Sequence, residues 1–498
     1  MMPPNFSKIS LELVFAILFG ALVGAAFVVS MSNVSARWTL VILGSVIAVA
    51  LLLFVTVFSN KLKLSLLIAA LLSLPIFFDI NFFYRDYTPF YVSANGFSVT
   101  LFDLFFFPLF FYWLWKHNQD KSSSFRFEPV FIWFFSLLFF FNLLSSLISP
   151  FPFYSFSALS WFFKAILIFT FFRNNYKDEA TLQILGRIFA LILLMQGIIV
   201  LEQKFVGVIF TEQLIGKQIN IVSLIGNQEV KRVAGSLSHP NNLAMFLNLF
   251  LPVACLLFFE EKKVAWRMFF GISIFLALLA ELWTSSRGGW LALAFSGSIC
   301  FILIMHKQGF NLIKVLLSFI MVSILAATVL LTASETFRTR IFGEDYGTAD
   351  LRVPLMQVAE NMIVDNPVLG VGLNVYAARM QHYDNTNEYV SRYYPFPVHN
   401  TYLLMAAESG LPSLILFLAL IVYILWLGLR SFYHLKGINE KMILGLMGGV
   451  VTWLIHNLVN LDDAYMNKAV WVLLGMIAGL AYSQKIKFKQ REVDNINE

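Results

Sequence analysis

Long apolar runs follow one another along almost the whole chain, parted by short polar breaks. Crossing the hydrocarbon core of a bilayer takes about 20 consecutive apolar residues in a helix, more than a buried strand or a soluble core helix needs. Runs near that length fall at 10–30, 38–58, 62–78, 98–115, 129–149, 156–172, 183–203, 241–258, 266–283, 288–305, 313–332, 401–429, 441–459 and 468–483. They predict an all-α, polytopic transmembrane helical bundle of about 14 spans (range about 12–14). Pro75 interrupts the third run, and 266–283 with 288–305 reads as a tight hairpin.

Three longer polar segments break the rhythm, at 79–97, 204–240 and 333–400, and the last is by far the largest. Within it, Leu351, Leu355, Met362 and Ile363 recur at helical spacing, which predicts an amphipathic helix over Leu351 to Val364. Proline cannot continue that pattern, so the helix should stop at Asn366-Pro367. The large loop is therefore partly helical. No internal repeat is evident. The chain divides into amino-terminal helices over 1–230, a second membrane region over 231–483 that includes the loop 333–400, and a basic tail over 484–498.

Composition agrees with the pattern: of 498 residues 59% are hydrophobic and only 13% charged, more apolar surface than a soluble chain hides. The net charge of +6 is distributed as an orientation signal and does not suggest nucleic acid. Alternate short loops hold Lys61/Lys63, Lys116/Lys121/Arg126, Arg173/Lys177, Lys262/Lys263/Arg267, Lys307/Lys314 and Arg430/Lys436/Lys441, and the tail adds Lys485, Lys487, Lys489 and Arg491. The opposite short loops carry little beyond Arg37, Arg85, Arg287 and Lys468. Both termini are expected to be cytoplasmic and the large loop extracytoplasmic. The two cysteines, Cys255 and Cys300, lie in apolar runs and suggest neither a disulfide nor a thiolate metal site.

On that orientation the helices near 241, 288 and 401 run outside to inside, with His239-Pro240-Asn241, Ser286-Arg287-Gly288 and His399-Asn400 at their mouths. A helix amino terminus carries unsatisfied N–H groups and about half a positive charge, an arrangement that binds anions. Asn241 or Asn242 suits the N-cap of the first. Arg287 and Arg352 add guanidinium forks, which suit phosphate or pyrophosphate; a snorkelling role for Arg287 at a hairpin tip is the plainer alternative. His399 suits a general base near neutral pH, or else a hydrogen-bonding role at the loop end. Glu408 lies about two and a half helical turns after His399, so an unbroken helix would put the two on opposite faces. It is either functional or satisfies backbone groups at a kink near Gly410 and Pro412. Lys164, mid-span, is a costly charge and keeps a transporter reading open.

These residues resemble the O-antigen ligase family of bacterial envelope glycan enzymes, which also contains polymerases, over roughly 230–460. The resemblance rests on Ser238-His239-Pro240-Asn241, Ser286-Arg287-Gly288, Arg352 followed by Asp365-Asn366-Pro367-Val368-Leu369-Gly370-Val371-Gly372, and His399-Asn400 with Glu408-Ser409-Gly410, in that order along the chain. It implies an integral enzyme of the inner membrane that moves a glycan from a polyprenyl-pyrophosphate carrier to an acceptor hydroxyl, on lipopolysaccharide core or another glycan, without cofactor or metal. It further implies catalytic roles for His399 and Glu408, with Arg287, Arg352, His239, Asn241 and Asn400 on the substrate. The departure is at the amino terminus: family members commonly have about twelve spans, and residues 1–230 carry no matching motif.

Overall fold

The computed structural model describes residues 62–76, 79–85, 90–119, 128–175, 178–208, 222–225, 228–237, 239–333, 338 and 351–497. The expected spans at 10–30 and 38–58, Ser238 of the first motif and several orientation charges, Arg37, Lys61, Lys121, Arg126 and Lys177 among them, lie outside the described residues. The elements in order are α1 (Leu62–Leu72), β1 (Asp79–Phe82), β2 (Phe97–Thr100), α2 (Leu101–Gln119), α3 (Pro129–Ile148), α4 (Pro152–Asn174), α5 (Glu179–Phe205), β3 (Val222–Ile225) and β4 (Gln228–Lys231). They continue as α6 (Pro240–Glu260), α7 (Val264–Trp283), α8 (Arg287–Lys307), α9 (Leu312–Ala333), α10 (Arg352–Asp365), α11 (Tyr376–Arg379), α12 (Val390–Tyr393), α13 (Thr401–Phe432), α14 (Gly437–His456) and α15 (Lys468–Asn497).

Among the described residues, eight helices are long and apolar enough to cross a membrane: α3 to α8, α13 and α14. The apolar part of α15, Lys468–Ser483, and α1 are shorter. The protein is thus a mostly helical, multi-pass membrane protein, and the expected runs from 129 to 305 and from 401 to 459 each appear as one helix. Proline marks three of the starts, standing first in α3, α4 and α6, where its missing N–H costs nothing and its fixed φ suits the first turn. Two short antiparallel hairpins, β1–β2 and β3–β4, stand in the polar segments where only loop was expected. The run at 98–115 begins as strand for this reason. The expected hairpin of α7 and α8 is joined by a short turn, yet its arms splay: α7 packs on α5 and α6, and α8 packs on α14.

Lys164 is not an isolated intramembrane charge. Its Nζ lies 2.8 Å from Asp103 Oδ2, and it also donates to the Ser98 carbonyl. This pairing, between the start of α2 and the middle of α4, satisfies the charge within the protein.

The polar segment after residue 350 builds a small core of its own. Leu355, Val358, Ala359 and Met362 of α10 are buried with Val371, Tyr376, Met380 and Val390 against Leu404 and Ala407 of α13. Burying each of the larger side chains stabilises the packing by about 1.5–3 kcal/mol. That core seats α10 on the amino-terminal part of α13, and so brings Arg352 to the level of His399.

Candidate functional site

Three helix amino termini converge. α6 opens at His239, whose Nδ1 accepts the Asn241 N–H at 3.2 Å, with Pro240 in the first turn. The cap is therefore His239 rather than Asn241 or Asn242, because Pro240 occupies the first helical position and the imidazole reaches the next free N–H. α8 opens at Ser286, whose Oγ accepts the Gly289 N–H at 3.3 Å. α13 opens at Asn400, whose Oδ1 accepts the N–H groups of Tyr402 and Leu403, each at 3.0 Å.

Between these termini lies a cavity of about 180 Å³, closed on one side by α10 and by the end of α14. Arg287, Arg352, His399, His239 and Asn241 all line it. Five of the seven residues singled out from the sequence thus meet in one place, although they are spread over more than 150 positions of the chain. Asn400 and Glu408 do not line it: Asn400 is spent on the cap and donates from Nδ2 to the Leu458 carbonyl at 3.0 Å.

Two further residues in the lining were not picked out. Arg232, just after β4, donates from Nε to the Thr284 carbonyl at 2.7 Å and from Nη2 to Asn241 Oδ1 at 2.9 Å. Asn241 is thereby an anchor for an arginine. His456 ends α14, and its Nε2 lies 3.3 Å from Ser286 Oγ, the cap of the helix that bears Arg287. A Cβ on Gly288 would stand 3.0 Å from the His456 ring and 2.7 Å from Val459, so only glycine admits this approach. His456 looked scattered in sequence. A helix antiparallel to α13 must nevertheless end beside the start of α13, and that signal was available.

Among the described residues no carboxylate lines the cavity, which holds three arginines and three histidines. The His239 ring is open to it, yet the surrounding protein and the charges of Arg232 and His399 hold its pKa down to about 4. Its Nδ1 is already an acceptor, so the neutral ring carries its proton on Nε2. His399 is also held below the usual histidine value, first by burial and then by the Arg352 charge, with the Pro397 carbonyl acting the other way. Its Nδ1 is enclosed and makes no hydrogen bond. A site of this kind, with fixed cations, neutral imidazoles and helix amino termini, favours a dianionic group.

Residues 272–418 match the family model described as O-Antigen ligase. That stretch of the chain is similar to the O-antigen ligase family. The match supports a membrane glycan transferase with ligase or polymerase activity, acting on a lipid-linked glycan. No curated protein matches the chain. Arg287, Arg352, His399 and Glu408 fall inside the matched stretch, while Arg232, His239, Asn241 and His456 come from outside it and complete the same cavity.

Within the matched stretch Glu408 sits at a break in α13. Gly410 has φ +82° and Pro412 lacks an N–H, so the carbonyls of Ala407 and Glu408 lose their helical partners. The segment after α10 replaces them: Val371 N–H donates to the Ala407 carbonyl at 2.8 Å and Gly372 N–H to the Glu408 carbonyl at 3.1 Å. Ser145 Oγ adds a 2.7 Å bond to the Glu408 carbonyl, and Leu411 N–H donates to the Pro367 carbonyl at 2.8 Å. Unsatisfied backbone at membrane depth costs several kcal/mol per group. The Asn366-to-Gly372 motif is therefore a backbone patch on the kink. The Glu408 carboxylate accepts the Tyr376 N–H at 3.0 Å, and Tyr376 Oη donates to the Leu355 carbonyl on α10 at 2.9 Å.

Proposed function

We propose that the protein transfers a glycan from a polyprenyl-pyrophosphate carrier to an acceptor hydroxyl at the extracytoplasmic face of the bacterial inner membrane, with both termini cytoplasmic. The observation that carries this reading is the convergence of Arg232, Arg287 and Arg352 with His399 in one cavity at three helix amino termini.

In the reaction, Arg287 and Arg352 hold the pyrophosphate. The acceptor hydroxyl hydrogen-bonds to Nε2 of His399, the ring nitrogen that is not enclosed. Its oxygen attacks C1 of the carrier-linked sugar as the bond from C1 to the pyrophosphate oxygen breaks. The electron pair leaves with the pyrophosphate, and the hydroxyl proton passes to His399. A single displacement of this kind inverts the configuration at C1. Charge grows on the leaving oxygen, and fixed cations in a small, partly closed site stabilise it without reorganising. Arg232, braced by Asn241, and His456, against Ser286, keep the arginine-bearing helix end in register. Glu408 acts through Tyr376 and Leu355 on the placement of Arg352, in a positioning role. Ligase and polymerase share all of these steps and differ in the acceptor, lipid core or a second carrier-linked glycan.

The test is an envelope-glycan gel from a deletion strain carrying wild-type protein, His399→Gln or no protein. The variant should match the null while remaining in the membrane at normal level. Accumulated long carrier-linked glycan would identify a ligase, and accumulated single repeats a polymerase. Wild-type glycan in the His399→Gln strain would remove the base and with it the mechanism.

A further inference from the structure

A cavity of about 180 Å³ has room for a pyrophosphate and the reacting atoms, but not for a chain of sugars; pockets that enclose even a drug-sized ligand run to roughly 300–1,000 Å³. If a glycan reacts there, its rings must lie along the mouth. Tyr394 lines the cavity and is half-buried. From Tyr394 a row of rings leads outward: its centroid is 4.8 Å from that of Phe396, and Phe396 is 5.4 Å from Tyr91. Phe396 is 40% exposed and Tyr91 41% exposed, so the outer rings present open surface.

The row is rigid. Phe396 stands between Pro395 and Pro397, which restrict the backbone, and its N–H donates to the Tyr394 carbonyl at 2.8 Å. The same short segment ends at His399. The Tyr91 loop is pinned from the other side, where Asn374 Oδ1 accepts the Ser93 N–H at 2.8 Å and Asn374 Nδ2 donates to the Ala94 carbonyl at 3.1 Å. Rings held in place before binding lose little freedom on binding. Tyrosines add hydroxyls at the ring edges, and a pyranose presents an apolar C–H face with hydroxyls around its rim, a match for such a surface.

We propose that Tyr394, Phe396 and Tyr91 form a stacking platform for the pyranose rings of the glycan, extending the cavity along the segment that carries His399. The proposal rests on the transferase reading and names the part of the substrate that this surface takes. The rings belong either to the donor glycan or to a glycan acceptor.

Full-length protein is purified into nanodiscs as wild type, Phe396→Ala, Tyr91→Ala and Phe396→Trp. The probe is the glycan released by mild acid from the carrier-linked material that accumulates in the deletion strain. Saturation-transfer NMR should show ring protons of this free glycan receiving magnetisation from wild type and Phe396→Trp, and no such signal from either alanine variant. In turnover the alanine variants should raise an apparent KM roughly 10-fold, with Phe396→Trp restoring it. A rise against the donor assigns the platform to the donor glycan, and a rise against the acceptor assigns it to the acceptor. Tyr91→Ala, on a separate loop, carries the test if Phe396→Ala misfolds. Equal saturation transfer and equal KM in all variants would overturn the platform while leaving glycan transfer intact. A saturation signal present in wild type and absent in the alanine variants, with no glycan transfer by wild type, would leave the platform standing and sink the transferase reading.

Discussion

Glu408→Gln separates a catalytic carboxylate from one that positions. In the folded protein the Glu408 side chain accepts the Tyr376 N–H at 3.0 Å and lies outside the cavity lining. Glutamine has nearly the same volume and keeps an amide oxygen as acceptor. The change should cost no more than the difference between two neutral or charged hydrogen bonds, about 1 kcal/mol, or roughly five-fold in rate if all of it reached the site. Glu408→Ala differs: it strands a buried N–H, at about 1–3 kcal/mol, and opens a void beside the kink. Because Tyr376 Oη holds the Leu355 carbonyl one turn from Arg352, the alanine loss should appear as weaker donor binding together with a lower melting temperature. Glycan transfer by purified protein, read beside a thermal-unfolding curve, measures both. A general acid or base would lose about 10²–10⁴-fold on this change. If Glu408→Gln loses that much transfer at wild-type melting temperature, the positioning account is wrong and the carboxylate takes part in proton transfer.

Two further outcomes are expected. His399 must be neutral to accept a proton and its pKa is held below 6.5 by burial and by Arg352, so the acid limb of kcat/KM should fall below pH 6.5, and Arg352→Gln should move it upward while lowering overall activity; an unmoved limb would mean that Arg352 does not face the base. Gly410→Ala forces a side chain into φ +82° and drives its Cβ against the Val368 carbonyl oxygen, well inside van der Waals distance, which should cost more than the ~1–2 kcal/mol of the left-handed conformation alone; unfolding curves of wild type and variant that superimpose would show that the kink is not what holds the loop.

The length of the apolar runs and the polar breaks between them determined a great deal. A helix needs a fixed number of apolar residues to span hydrocarbon, so α3 to α8, α13 and α14 were readable from spacing alone. Helix α10 was readable from its apolar stripe and its stop at Asn366-Pro367. His399, Arg287 and Arg352 stood out because guanidinium forks suit phosphate and an imidazole can take a proton near neutral pH. What sequence could not decide was which of these face one another. The placement of Arg352 depends on the small core that seats α10 on α13, and the inclusion of Arg232 depends on Asn241 reaching it across the start of α6. The short strands at 79–100 and 222–231 carry too few residues for a periodic signal. Glu408 was ambiguous for a related reason: a carboxylate beside glycine and proline reads alike whether it reacts or repairs, and only the folded chain, by bringing Tyr376 and the Asn366-to-Gly372 segment to the break, shows where its hydrogen bonds go. Spans and single costly residues are local properties of a chain in a membrane, whereas a site is made of separations between distant segments, and packing alone sets those.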